Sequence, residues 1–94
     1  MKDLQETRLA LDAVDRQIVA LFEERMTLAR DVAAYKISKG MPVLDRSREE
    51  QVLQSRCAML KDAYWAPSVR ALYESVMALS RAEQQKLVEE ADHA

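Results

Sequence analysis

Charged residues in the first third of the chain occupy helix positions that normally hold apolar side chains. Alternating steps of four and three residues give one helix face, which consists of Leu4, Arg8, Leu11, Asp15, Ile18, Phe22, Arg25, Ala29, Val32 and Lys36. Taken singly, each cation could extend to water or pair with a nearby carboxylate. Three cations on one face are harder to explain in that way, because an unpaired buried charge costs several kcal/mol. We therefore expect this face to bind an anion.

The spacing of these cations limits which of them can share a ligand. Arg25 and Lys36 are eleven residues apart, about 16 Å along a helix, so their long side chains can hold one small molecule between them. Arg8 precedes Arg25 by seventeen residues, about 25 Å, which is too far for the same molecule. A site that uses all three cations must therefore take Arg8 of the partner subunit.

Two later segments also place polar residues on an inward helix face. Asp45, Arg48 and Glu49 lie within one turn of each other, a pattern that on its own is typical of a solvated helix start. Ser80 and Gln84 continue an apolar stripe, and on their own they would be typical of a solvated helix end. Together with the cations above, these residues provide carboxylates and a neutral amide. The combination predicts a pocket for a small polar anion.

The composition limits both the fold and the class of function. The chain has 94 residues, which is enough for one domain, 1–94, and 49% of them are hydrophobic. One Gly and two Pro are too few for the turns of a β-sandwich or barrel, so we expect an all-α fold. A net charge of -2 and a pI near 5.4 argue against a nucleic-acid-binding protein.

Cysteine and histidine each occur once, as Cys57 and His93. They cannot form an internal disulfide or a Cys/His zinc site, and we expect no metal or cofactor. Residues 1–6 lack an apolar signal core, and no segment reaches the roughly 18 uncharged residues needed to cross a bilayer. The sequence therefore predicts a cytoplasmic protein that binds neither membranes nor nucleic acid.

Glycine and proline positions divide the chain into three helices. Neither residue type occurs between residues 3 and 39, and Gly40 followed by Pro42 ends the first helix. Asp45 is placed to cap a second helix, and Pro67 fits the first turn of a third. The predicted helices cover about residues 3–39, 45–61 and 66–90, one very long, one short and one medium.

The first helix is too long to fit within a compact domain of this size. Its predicted 37 residues would span about 55 Å, whereas a compact chain of this length is about 30 Å across. The apolar residues of the overhanging part are most simply buried against a second copy of the chain. We therefore expect an intertwined homodimer.

In their order and spacing, these residues resemble the all-helical class of chorismate mutase. The matching positions are Arg8, Leu11, Asp12, Asp15, Leu21, Phe22, Arg25, Lys36, Pro42, Val43, Asp45, Arg48, Glu49, Ser80 and Gln84. Single positions would be weak evidence, because amphipathic helices with arginine are common, but the series covers nearly the whole chain. The resemblance implies an intertwined dimer of three-helix protomers with two equivalent sites, each of which takes one arginine from the other chain.

The resemblance also implies a reaction, the Claisen rearrangement of chorismate to prephenate in tyrosine and phenylalanine biosynthesis. This concerted step needs no cofactor, covalent intermediate or proton transfer. It needs a flexible dicarboxylate held in a compact conformation, and donors at the ether oxygen, where negative charge develops. By resemblance, Arg25 and the partner's Arg8 hold the carboxylates, and Lys36 and Gln84 donate to the ether oxygen.

The remaining polar residues would hold the ring end of the substrate. By resemblance, Glu49 and the backbone near Asp45 take the ring hydroxyl. Arg48 supports the carboxylate or hydroxyl end, and Ser80 reaches a carboxylate. The four cations and two carboxylates of such a site leave a charge of +2, which balances a dicarboxylate substrate.

Two other functions fit the same residues. Isochorismate pyruvate lyase has a related helical fold and a similar cationic cage, but its relatives generally lack an acidic pair at the ring hydroxyl, whereas this chain has Asp45 and Glu49. A non-catalytic helical dimerisation module could use the charges of the long helix to set register and partner choice. The acidic pair favours the mutase over the lyase, and dicarboxylate binding would distinguish the mutase from the module.

Overall fold

The computed structural model describes residues 3–93, which fold into three α-helices. The helices are α1 (Leu4–Lys39), α2 (Arg46–Ala58) and α3 (Ala66–Asp92). The predicted all-α fold, with one very long, one short and one medium helix, is confirmed. Met1, Lys2 and Ala94, which the predicted domain includes, lie outside the described residues. None of the described helices is both long enough and apolar enough to cross a membrane.

Helix α2 is shorter than the predicted span of about residues 45–61, whereas α1 and α3 differ from their predicted bounds by one or two residues. Asp45 lies just before α2 and caps it, because its Oδ1 accepts from the Arg48 backbone N–H at 3.0 Å. The helix ends at Ala58 instead of continuing. The α-helical hydrogen bonds stop there, because the Met59 and Leu60 N–H groups donate to the carbonyls three residues back, those of Arg56 and Cys57. Asp62 then caps a separate one-turn 3₁₀ helix at Ala63–Trp65.

Gly40 reverses the chain between α1 and α2. Its φ is 64°, a left-handed conformation that costs other residues roughly 1–2 kcal/mol. The Gly40 N–H donates to the Ile37 carbonyl at 3.3 Å, and the Met41 N–H donates to the Lys36 carbonyl at 2.8 Å. These bonds satisfy carbonyls at the end of α1. The turn places the last turns of α1 beside the loop that leads into α2.

The apolar core of one chain is small. Helix α3 packs against both α1 and α2. The buried apolar residues are Ala29, Ala33, Val52, Leu53 and Met77, and Tyr73 packs against the last three of these. Among residues 3–93, no large side chain is fully buried. The core therefore lies only where the second half of α1 meets α2 and α3.

The first half of α1 extends past this core, and residues 4–24 are all exposed. The exposed apolar side chains of this half are Leu4, Leu9, Leu11, Val14, Ile18, Val19, Leu21 and Phe22. The protomer measures 56 × 26 × 14 Å. Its radius of gyration is 16.9 Å, compared with about 12 Å for a compact chain of this length. One chain alone leaves a long apolar surface uncovered.

Candidate active site

A cavity of about 320 Å³ lies between the second half of α1 and helices α2 and α3. This volume is within the range of small-molecule sites. Seven of the eight sequence-predicted site residues line the cavity, namely Arg25, Lys36, Asp45, Arg48, Glu49, Ser80 and Gln84. Arg8 does not line it and lies on the exposed first half of α1. The fold therefore gathers polar groups from all three helices and leaves one cation far away.

The two cavity cations of α1 are held in place by neighbouring groups. Lys36 Nζ donates to the Val43 carbonyl oxygen at 2.6 Å, which uses one of its three N–H bonds. The Arg25 guanidinium carbon lies 5.9 Å from the centre of the Tyr73 ring, a distance typical of a cation–π contact. Both cations are therefore oriented at the cavity wall by the protein itself.

The start of α2 supplies two carboxylates and an arginine. The Asp45 carboxylate is used as the helix cap, through its hydrogen bond to the Arg48 backbone. The Arg48 side chain donates from Nη1 to Gln51 Oε1 at 2.8 Å. Glu49 Oε1 accepts a hydrogen bond from Arg81 Nη1 of α3. The partial positive charge of the helix N-terminus adds to that of the arginines and favours an anion at this end.

Ser80 and Gln84 are polar but buried, with only 8% and 6% of their surface exposed. Gln84 Nε2 donates to Ser80 Oγ, one helical turn away, at 3.0 Å. Gln84 Oε1 has no hydrogen-bond partner within residues 3–93. An unpaired buried polar atom costs about 1–3 kcal/mol. This amide is therefore suited to pair with a polar group of a ligand in the cavity.

Arg56 and Arg81 also line the cavity, although neither is among the sequence-predicted site residues. Arg56 follows Glu49 by seven residues and Val52 by four, so all three share one face of α2. Arg81 precedes Gln84 by three residues on α3, which also places them on one face. Steps of three and four residues, which identify the cations of α1, also place both arginines on the cavity faces of α2 and α3.

The cavity is positively charged in a chain whose net charge is -2. Five cationic side chains and two carboxylates line it, which gives a formal charge of +3. Leu28, Val32 and Met77 form an apolar part of the wall and reduce the screening of these charges by water. Of the described residues, those that line the cavity include no His or Cys. The arrangement can hold and orient a small anion that has several acceptor groups.

Comparison with known proteins gives a match to a family model. This family is described as chorismate mutase type II. The match covers residues 7–85, which include Arg8 and all of the cavity residues named above. The match covers more than half of the chain.

Curated proteins that are similar to this chain include two chorismate mutases and a T-protein. A chorismate mutase of Methanocaldococcus jannaschii is 38% identical over 52 residues, 55% of this chain and 52% of that protein. A T-protein of Haemophilus influenzae is 34% identical over 56 residues, 60% of this chain and 15% of that protein. A bifunctional chorismate mutase/prephenate dehydratase of Aquifex aeolicus is 28% identical over 64 residues, 68% of this chain and 18% of that protein. The matched part of the chain thus spans about half of the first relative and less than a fifth of the other two.

Binding of a small dicarboxylate should raise the melting temperature of the protein, because a ligand that binds only the folded state stabilises it. With cyclohexane-1,4-dicarboxylate as the probe, Arg25→Gln and Lys36→Gln should each remove most of the shift seen in a thermal melt. Arg30→Gln is the matched control, because Arg30 also lies on α1 but pairs with Glu83 at 3.8 Å and does not line the cavity. An equal loss in all three variants would indicate non-specific anion binding.

Proposed function

The chain belongs to the chorismate mutase type II family, and on that premise we propose that it converts chorismate to prephenate. The observation that carries the proposal is the cavity lined by Arg25, Lys36, Glu49 and Gln84, which brings cations, a carboxylate and an amide together in one small space. The reaction is an intramolecular shift of a dicarboxylate, which needs fixed donors but no nucleophile. Arg25, Lys36 and Gln84 supply such donors in the cavity.

Confinement is the first contribution of the site. Chorismate carries two carboxylates and must fold into a compact conformation before its C–O bond breaks and its new C–C bond forms. Arg25 binds one carboxylate in a bidentate manner, with Tyr73 supporting its guanidinium from below. Binding both carboxylates rigidly removes rotational freedom before the barrier is reached. The rate gain then comes from orientation that the protein has already fixed.

Electrostatic stabilisation of the ether oxygen is the second contribution. Negative charge grows on this oxygen as the C–O bond breaks, so donors fixed beside it stabilise the transition state more than the substrate. Lys36 is one donor, because its hydrogen bond to Val43 leaves two N–H bonds for a ligand. Gln84 is the other. Rotation of its amide by half a turn lets Ser80 Oγ donate to Oε1, which gives the unpaired oxygen a partner and leaves Nε2 free to donate to the substrate.

The ring hydroxyl of the substrate lies at the opposite end, against the start of α2. Glu49 accepts its hydrogen bond, and the backbone near Asp45 assists. Arg48 exchanges its contact with Gln51 for one with the carboxylate or hydroxyl end of the substrate. The N-terminus of α2 contributes further positive potential here.

The active unit is an intertwined homodimer in which each site receives Arg8 of the partner subunit. The support is the apolar surface of residues 4–24, which a second copy of α1 can cover. Arg8 lies on that half of the helix, and its distance of about 25 Å from Arg25 along the axis prevents it from serving its own chain's site. Dimer formation thus buries the exposed face and adds a second carboxylate-binding arginine to each cavity.

Lys36→Ala should lower kcat/KM for prephenate formation from chorismate roughly 10²–10³-fold, because it removes a donor at the developing charge. The helix content measured by circular dichroism should stay unchanged. Lys39→Ala is the control, since Lys39 lies near the Tyr35 ring, away from the cavity, and should keep full activity. A purified protein that forms no prephenate would refute the proposed function, and one that forms salicylate and pyruvate from isochorismate at a higher rate would indicate the lyase.

Gln84→Glu should move the activity toward acidic pH. An amide donates a hydrogen bond at every pH, whereas a carboxyl group donates only when it is protonated, so the variant should gain activity as the pH falls. The unmutated protein should show no acidic optimum. Gln85→Glu places the same group on the neighbouring, exposed position and should keep the original pH profile. If the profile of Gln84→Glu also stayed unchanged, Gln84 would not be a donor to the ether oxygen.

A further inference from the structure

Arg81 lines the cavity but has no part in the chemistry described above. It lies on α3, and its Nη1 donates to Glu49 Oε1 on α2, across 32 positions of sequence. The Arg81 and Glu49 side chains are 36% and 24% exposed, so the pair is partly shielded from solvent. The contact joins α3 to the first turn of α2, at the point where both helices border the cavity.

We infer that Arg81 is a positioning residue, which holds the Glu49 carboxylate in the orientation that accepts the ring hydroxyl of the substrate. This inference rests on the proposed function. A free glutamate side chain samples many rotamers, and binding would have to select one of them. The hydrogen bond from Arg81 occupies Oε1, and the carboxylate keeps acceptor capacity on Oε2 for a hydroxyl.

Charge compensation gives Arg81 a second effect on the same carboxylate. Glu49 is negative and would repel a doubly negative substrate in the same small cavity. A guanidinium in direct contact with Glu49 cancels most of that repulsion while the carboxylate remains a hydrogen-bond acceptor. Arg81 therefore allows an acidic residue to serve in a site whose ligand is an anion.

A second ion pair between α2 and α3, formed by Arg70 and Glu50, lies away from the cavity and serves as a comparison for the pair of Arg81 and Glu49. Arg70 Nη2 lies 3.4 Å from Glu50 Oε2, and their side chains are 46% and 51% exposed. Neither residue lines the cavity. The two helices thus already have a surface ion pair between them, and the pair formed by Arg81 and Glu49 differs because it faces the site.

The test is a double-mutant cycle on prephenate formation with Arg81→Gln, Glu49→Gln and the double variant. Arg81→Gln should raise KM about tenfold and lower kcat much less, because hydroxyl recognition stabilises the bound substrate and the transition state alike. In the Glu49→Gln background, the same change at Arg81 should have less than about a twofold effect, because Arg81 acts through Glu49. Arg81→Lys should recover part of the loss.

Arg70→Gln is the control, because it breaks the other ion pair between the same helices, together with the pair of Arg70 and Glu74 within α3. It should change the melting temperature as much as Arg81→Gln does and leave KM unchanged. Equal effects of Arg81→Gln with and without Glu49 would mean that Arg81 binds the substrate directly, and unchanged kinetics would mean that it is structural. Either result would overturn the inference about Arg81 and leave the proposed function standing. If the unmutated protein formed no prephenate, both the proposed function and the inference would be refuted.

Discussion

A helix of 36 residues is about 54 Å long, and the helices of 13 and 27 residues that follow it cannot enclose it. The length of α1 therefore determines where the core forms and where Arg8 lies. Within residues 3–93, the core forms at the second half of α1, and the first half keeps its apolar side chains exposed. Arg8 is carried far from the cavity that its counterpart Arg25 lines. In the homodimer that we propose, a second chain covers the exposed face and supplies Arg8 to the cavity.

The cavity concentrates positive charge in an acidic protein, and each charged group in it has a local partner that fixes its position. Val43 holds Lys36, Tyr73 supports Arg25 and Arg81 pairs with Glu49. Such preorganisation suits a reaction in which charge shifts within one substrate and no bond to the protein forms. The neutral Gln84 amide differs, because its Oε1 has no hydrogen-bond partner within residues 3–93. Rotation of the amide exchanges its oxygen and nitrogen, so it can pair with a ligand in either orientation.

The sequence was sufficient to predict the three helices, because Gly and Pro occur only at their ends, and the α1 cations, because their spacing is regular. It did not predict the early end of α2, because no Gly or Pro marks the change to three-residue hydrogen bonds at Met59 and Leu60. It also did not reveal the role of Arg81. Helical spacing places Arg81 on the same face of α3 as Gln84, but it does not indicate that Arg81 pairs with Glu49, 32 residues away on another helix.

The proposal that two chains share each site can be tested most directly by mixing two inactive chains, Arg8→Ala and Lys36→Ala, and refolding them together. Each homodimer has two defective sites, but a mixed dimer combines Lys36 of one chain with Arg8 of the other in one complete site. With random pairing, half of the dimers are mixed and each has one complete site, so about one quarter of the unmutated activity should return. Activity no greater than the sum of the two separate variants would show that the chains do not share a site.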